Sequence, residues 1–197
     1  MGPNKARIRH YAGIDPSKRK TGVALITLRD KEIHKYTSLV IAPKELDDIQ
    51  LLLHLRNDVD MFFKKKANWE LLTGSAIEGP SLYSVNKSDD LGQVRGVLKV
   101  VLADGSKNLP HTIPPASLKK FAAGNGHAKK DAIVKKAEEC GWGRLTEDEA
   151  DAAWLAEIAW ALSEKRKLSR KQIEAIDGIR KMTFQKTHAA KLSSFNL

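Results

Sequence analysis

Cysteine occurs once in these 197 residues, at Cys140. That excludes a disulfide framework and a thiolate metal cage, and points to a reducing, intracellular compartment. Aromatic residues make up only 6%, which disfavours binding by stacking alone. No apolar run approaches the ~20 residues that a membrane-spanning helix needs. The basic N-terminus lacks the apolar core of a secretory signal. With 42% hydrophobic residues, the chain can bury the core of one α/β domain and still carry an appendage.

Positive charge is what the chain has in excess. Lys and Arg number 34 against 24 Asp and Glu, a formal +10. Residues 165–197 hold Lys165, Arg166, Lys167, Arg170, Lys171, Arg180, Lys181, Lys186 and Lys191, nine cations against Glu174 and Asp177, so +7 falls there. Such density suits a polyanion, nucleic acid before an anionic membrane. A solvated tail that only maintains solubility is the bland alternative.

The stretch Tyr11-Ala12-Gly13-Ile14-Asp15-Pro16-Ser17-Lys18-Arg19-Lys20-Thr21-Gly22-Val23-Ala24-Leu25-Ile26 reads as a tight β-hairpin whose first strand ends in an acid. Pro16 removes a backbone donor just after Asp15. Gly22, without a Cβ, leaves room for another group to approach the second strand. Strands are predicted at about 7–15, 21–28 and 33–41 as an antiparallel meander. A helix over roughly 44–65 follows Pro43, with Leu46, Ile49, Leu53 and Phe62 or Phe63 as core candidates. Lys64, Lys65 and Lys66 suit the negative end of its dipole. The segment Leu71-Leu72-Thr73-Gly74-Ser75-Ala76-Ile77-Glu78-Gly79-Pro80 reads as a buried strand that again delivers an acid to a proline-containing turn.

Further along, a helix opens at Leu91-Gly92-Gln93-Val94-Arg95-Gly96 and runs to about 103. Its two glycines each cost ~1 kcal/mol relative to Ala, which close helix–helix packing explains, within the chain or between subunits of a dimer. A fifth strand covers 109–113, a short helix 117–121, and another helix about 129–140. Between those helices, Gly124-Asn125-Gly126-His127-Ala128-Lys129-Lys130 presents backbone N–H groups and lysines to an anion, without the spacing of a dinucleotide or P-loop motif. Thr146 and Glu149 form a capping box. Asp148 and Asp151, three apart, share a helix face that continues through Leu155 and Ile158 towards the core. Two carboxylates on such a face repel unless a cation lies between them.

A single strand-end acid such as Asp15 is as readily a turn residue as a ligand; four acids converging favour a metal. Asp15, Glu78, Asp148 and Asp151 offer hard oxygen ligands suited to Mg²⁺. Two such ions ~4 Å apart can activate a water and stabilise a leaving oxygen in phosphodiester cleavage. With the basic surface, this points to a nuclease.

The combined pattern resembles the RuvC-type Holliday-junction resolvases. It comprises Gly13-Ile14-Asp15-Pro16 with Thr21-Gly22, Ile77-Glu78, Leu91-Gly92-Gln93-Val94-Arg95-Gly96, Pro115-Ala116-Ser117-Leu118-Lys119, Gly124-x-Gly126-x-Ala128-x-Lys130 and Asp148-x-x-Asp151-Ala152. The match spans about residues 8–160. It implies an α/β RNase H-like fold, a five-stranded mixed sheet of three antiparallel then parallel strands flanked by helices. Residues 1–164 would form that nuclease domain and 165–197 a basic C-terminal extension.

The resemblance further implies a homodimer that uses Mg²⁺, with Mn²⁺ able to substitute, to make paired nicks across four-way or other branched DNA in recombination and repair. The setting would be the cytoplasm of a bacterial or virus-infected bacterial cell. Asp15, Glu78, Asp148 and Asp151 would be metal ligands, and Lys119 and Lys130 the active-site lysines. DNA contacts are expected from Lys18, Arg19 and Lys20 in the hairpin turn, Tyr83 and Lys87 beyond the fourth strand, Arg95 on the glycine-bearing helix, and Lys120, Asn125 and Lys129 around the glycine loop. Ser81 stands where the family carries a base-stacking aromatic, so Leu82 or Tyr83 would have to serve. That departure and the longer basic extension mark a divergent member.

Two other readings are distinguishable. An actin-like ATPase also begins with Asp-x-Gly, but needs two lobes and an adenosine site that this length does not accommodate. A non-catalytic DNA-binding module of the same fold explains the charge and leaves the four acids without a purpose.

Overall fold

The opening apolar run becomes β1 (Ile8–Asp15), buried beyond its first residue because strands flank both its edges and helices cover both its faces. The computed structural model describes residues 7–44, 46–80, 88–106 and 108–193. β2 (Thr21–Arg29) pairs antiparallel with β1, and β3 (Glu32–Ile41) antiparallel with β2. β4 (Leu72–Glu78) and β5 (His111–Ile113) then add in parallel on the far side. The order is β3-β2-β1-β4-β5, the five-stranded mixed sheet expected. β3 is an edge strand, and accordingly its residues are mostly exposed or half-buried.

The period-two alternation of the strands divides the core in two. Ala12 and Ile14, with Val23, Leu25 and Ile77, face α1 (Asp48–Lys66) and α2 (Ser88–Ser106). Tyr11, Ile26 and Ala76 face α3 (Pro115–Ala123), α4 (Lys130–Glu139), α5 (Glu147–Ser163) and α6 (Arg170–Ser193). α5 is buried without a break from Ala150 to Ala161. It lies between the sheet and the outer helices, so an all-round apolar sequence suits it.

The first helix departs from its sequence reading. Its N-cap is Asp47, whose side chain accepts from the Gln50 N–H at 2.8 Å, so it begins four residues beyond the expected start after Pro43. The buried stripe is Leu51, Leu55, Val59, Phe62 and Phe63. Leu46, Ile49 and Leu53 are solvent-exposed, at 37%, 67% and 49%. A two-residue offset rotates a helix by ~200°, which moves one face to the other.

The basic C-terminal region is also structured. Ala175, Ile176 and Ile179 of α6 are buried against a cluster that includes Leu118 and Phe121 of α3. The connection from α5 is pinned twice. Glu164 accepts hydrogen bonds from Arg9 and Tyr11. Arg166 pairs with the buried Glu157 and lies over the Trp160 ring at 3.8 Å.

Candidate active site

On β1, Tyr11, Gly13 and Asp15 alternate onto the face that α5 covers. Gly22 on β2 shares that face, as Gly74 and Glu78 do on β4. The glycines decide how close the helix comes. A Cβ on Gly13 would stand 1.9 Å from the Ala152 carbonyl oxygen and 2.4 Å from the Ala156 nitrogen. One on Gly22 would stand 2.1 Å from the Asp148 carbonyl oxygen. The helix backbone therefore lies directly on the strands, and its first turns reach the strand ends where Asp15 and Glu78 sit. Gly13→Ala is expected to push α5 off the sheet and destabilise the protein by about 1–3 kcal/mol, the usual range for overpacking. Denaturant titration checks this, and a variant as stable as the parent would contradict backbone-to-backbone packing.

The four acids consequently meet at one end of the sheet. Asp15 pairs across the hairpin with Gly22. Ile14 is in register with Ile77, which places Glu78 beside Asp15, and the two carboxyls share a hydrogen bond. Asp15 and Asp151 are buried; Glu78 and Asp148 are half-buried. Burial pushes the Asp15 carboxyl well above the usual carboxylate range, reinforced by the charges of Glu78, Asp151 and Asp148. Burial and Asp151 push Glu78 up to about 7, against the opposing pull of its bond to Asp15 and of Arg95 and Lys130. Asp151 is pushed up to about 6 by burial, with Asp148 adding to the shift and Lys130 and Lys119 opposing it.

Cations ring this cluster. Lys130, at the start of α4, ion-pairs with Glu147 at 3.1 Å. Burial pulls its ammonium down, but Glu147 and the charge of Asp151 raise it overall. Lys119 on α3 acts on Asp151. Arg95 on α2 is half-buried, feels the charges of Glu78 and Asp15, and its Nε is buried without a hydrogen-bond partner among the described residues. Sequence reasoning assigned Arg95 to DNA; its position also makes it a neighbour of the acidic pair. The Glu147–Lys130 pair was not anticipated, because the capping role of an acid in a first helical turn accounts for Glu147 without any partner.

The remaining sequence-derived DNA candidates are more scattered. Lys18 reaches Asp48 at 3.0 Å. Arg19 and Lys20 are exposed in the β1–β2 turn. Lys120 pairs with Glu174 at 3.1 Å. The exposed Asn125 accepts from the His127 N–H at 3.0 Å, and Lys129 is the exposed N-cap residue of α4. Tyr83 and Lys87 lie outside the described residues.

Among the described residues, no three His, Cys, Asp or Glu side chains form a ready-made metal cage. The donor chemistry nevertheless fits a hard divalent cation. The four acids supply oxygen, and the raised affinity of three of them for protons is what a cation would relieve. An ion that keeps several of its own waters needs only one or two carboxylates at a time.

The glycines of α2 call for a separate account. Nothing among the described residues comes within 4 Å of a Cβ placed on Gly92 or Gly96, so packing among those residues does not explain them. They lie on the sheet's other side from α5. There a cavity of about 660 Å³ is lined by Leu52, Arg56, Gly96, Val97 and Val100, among others.

Comparison with known proteins agrees with this architecture. The family model for crossover junction endodeoxyribonuclease RuvC matches residues 11–152. The RuvC enzyme of Anaeromyxobacter dehalogenans strain 2CP-1 is 30% identical over 146 residues, 73% of this chain and 76% of that protein. That of Anaeromyxobacter sp. strain K is equally similar over the same extent. The fold superposes on Thermus thermophilus RuvC with a TM-score of 0.60 at 20% identity, covering 75% of this chain and 90% of that one. A structure of the same T. thermophilus protein with a Holliday junction substrate gives 0.56 at 19% identity. The fold and the extent of the sequence match together establish that this chain belongs to the RuvC family of crossover junction endodeoxyribonucleases.

Proposed function

We propose that this protein is a metal-dependent endodeoxyribonuclease that resolves four-way DNA junctions by paired phosphodiester hydrolysis, acting in the cytoplasm as a homodimer. The observation that carries this reading is the gathering of Asp15, Glu78, Asp148 and Asp151 at one end of the sheet, where burial and neighbouring acids raise the proton affinity of Asp15, Glu78 and Asp151. These four would hold Mg²⁺, with Mn²⁺ able to substitute. The bound metal supplies an activated water and neutralises charge developing on the phosphate. The chain's own groups do the rest. Lys119 and Lys130 steady the scissile phosphate, Arg95 adds positive charge beside Glu78, and Glu147 holds Lys130 near Asp151. Lys18, Arg19, Lys20, Lys120, Asn125 and Lys129 are the further backbone contacts.

Incubating a synthetic four-way junction with EDTA or Mg²⁺, and mapping the products at nucleotide resolution, tests the assignment. Symmetric nicks in opposite strands, present only with Mg²⁺, are expected. Tight binding with no nicking would make the protein a binding module instead.

The homodimer is proposed through α2. Gly92 and Gly96 face nothing among the described residues, and Val100 beside them is 58% exposed. A second α2 laid against these residues would bury that surface and account for both glycines. Val100→Asp is expected to raise the dimer dissociation constant at least about tenfold, because it places a charge in an apolar contact. Sedimentation equilibrium checks this; an unchanged association would place the interface elsewhere.

A further inference from the structure

We propose that α6 is a second DNA-binding element, an arm that grips the phosphate backbone of duplex flanking the carboxylate cluster. This inference rests on the reading of branched DNA as the substrate. α6 lies beyond the region matched by the family model, which ends at residue 152.

The direction of the helix is fixed by two contacts with α3. Lys171 at its start packs beside Gly124 at the end of α3, with the Lys171 Cγ 3.6 Å from where a Gly124 Cβ would stand. Three residues later, Glu174 reaches Lys120, one turn back along α3. The two helices therefore run antiparallel. α3 leaves the sheet at the C-terminal end of β5, the end of the parallel strands that also bears Glu78. So α6 returns towards the carboxylate edge. α3 has nine residues and α6 has 24, about 14 Å and 36 Å at ~1.5 Å per residue. On this pairing the start of α3 lies level with about residue 180, leaving roughly 20 Å of α6 to run on past it.

Charge identifies what such an arm fits. Glu174 is already shared by Lys120, Arg170 and Lys171, at 3.1, 3.4 and 3.6 Å. Beyond Asp177, the later half of the helix carries Arg180, Lys181, Lys186 and Lys191 and no acid. Arg180 and Lys181 are exposed. The buried stripe of Ala175, Ile176 and Ile179 with the Glu157–Arg166 pair mounts the helix firmly on the domain. A tail that served only solubility would need neither. A mounted cationic rod pointing towards a phosphodiester-cleaving site fits a polyphosphate backbone.

The test uses the full-length protein and reads junction binding in EDTA across a salt series, so it does not depend on cleavage. Arg180→Gln/Lys181→Gln alters only exposed side chains; adding Lys186→Gln and Lys191→Gln completes the arm. The log–log salt slope is expected to become shallower by about one to two units in the double variant and two to four in the quadruple one, near 0.9 for each phosphate no longer neutralised. The fall in affinity should be similar for the four-way junction and for linear duplex. Unchanged slopes in both variants would overturn the proposal, whether or not the wild type cuts. Shallower slopes with a wild type that fails to nick in Mg²⁺ would keep the arm and refute the nuclease reading.

Discussion

Asp15→Asn is expected to abolish cleavage, by about a thousandfold or more, while junction affinity in EDTA stays within a few-fold of wild type. Losing one carboxylate weakens the hold on the metal, and several kcal/mol of transition-state stabilisation correspond to that factor. The basic surface that carries binding is untouched. The same variant should be more stable than wild type when metal is chelated near pH 7.5. Burial and its acidic neighbours raise the proton affinity of Asp15 above its value in the unfolded chain, so its charged form is disfavoured by folding; Asn keeps the shape without that penalty. Cleavage at the wild-type rate would remove Asp15 from the metal site. A large fall in stability would show that Asp15 is a structural residue.

A second large effect concerns pH. Glu78 is raised from 4.5 to about 7 and Asp151 from 3.8 to about 6, so between roughly pH 4 and 7 the folded protein binds more protons than the unfolded chain. Stability must then fall as pH rises through that window. Glu78 alone corresponds to a loss of about 3 kcal/mol at ~1.4 per pH unit. In EDTA, denaturant titrations should therefore give a markedly less stable protein at pH 7.5 than at pH 5. Millimolar Mg²⁺ should restore stability at pH 7.5 and do little at pH 5, where protons already neutralise the cluster. Glu78→Gln should flatten the profile. A metal-free protein equally stable at both values would mean that the carboxylates do not confront one another.

Much of the site was legible because its residues sit at positions where local rules are strict. An acid between an apolar strand and a proline turn is as readily a turn residue as a ligand, and it is the recurrence of that pattern at Asp15 and Glu78, with the Asp148–Asp151 pair, that marks them. The three-residue spacing of Asp148 and Asp151 fixes their common helix face independently of any tertiary contact. Gly22 announced a close approach, and the structure identifies the approaching group as the Asp148 backbone. Legibility ended where long-range packing decides. Pro43 is an ordinary helix-start signal, yet Asp47 captured the cap and turned Leu46, Ile49 and Leu53 outwards. The meaning of Gly92 and Gly96 depends on a surface with no partner among the described residues. In the C-terminal region the density of charge concealed the Ala175, Ile176 and Ile179 stripe that docks α6. The approach of Arg95 to Glu78, and of Lys130 to Glu147, arises only once separate helices converge on the sheet end.

The claim that these carboxylates jointly hold a divalent cation is tested most directly by anomalous scattering from a crystal soaked in Mn²⁺. The account predicts strong Mn²⁺ density bounded by the carboxylates of Asp15, Glu78, Asp148 and Asp151, and its loss in Asp15→Asn. Density only at other acids, or none at occupancies that saturate cleavage, would contradict it.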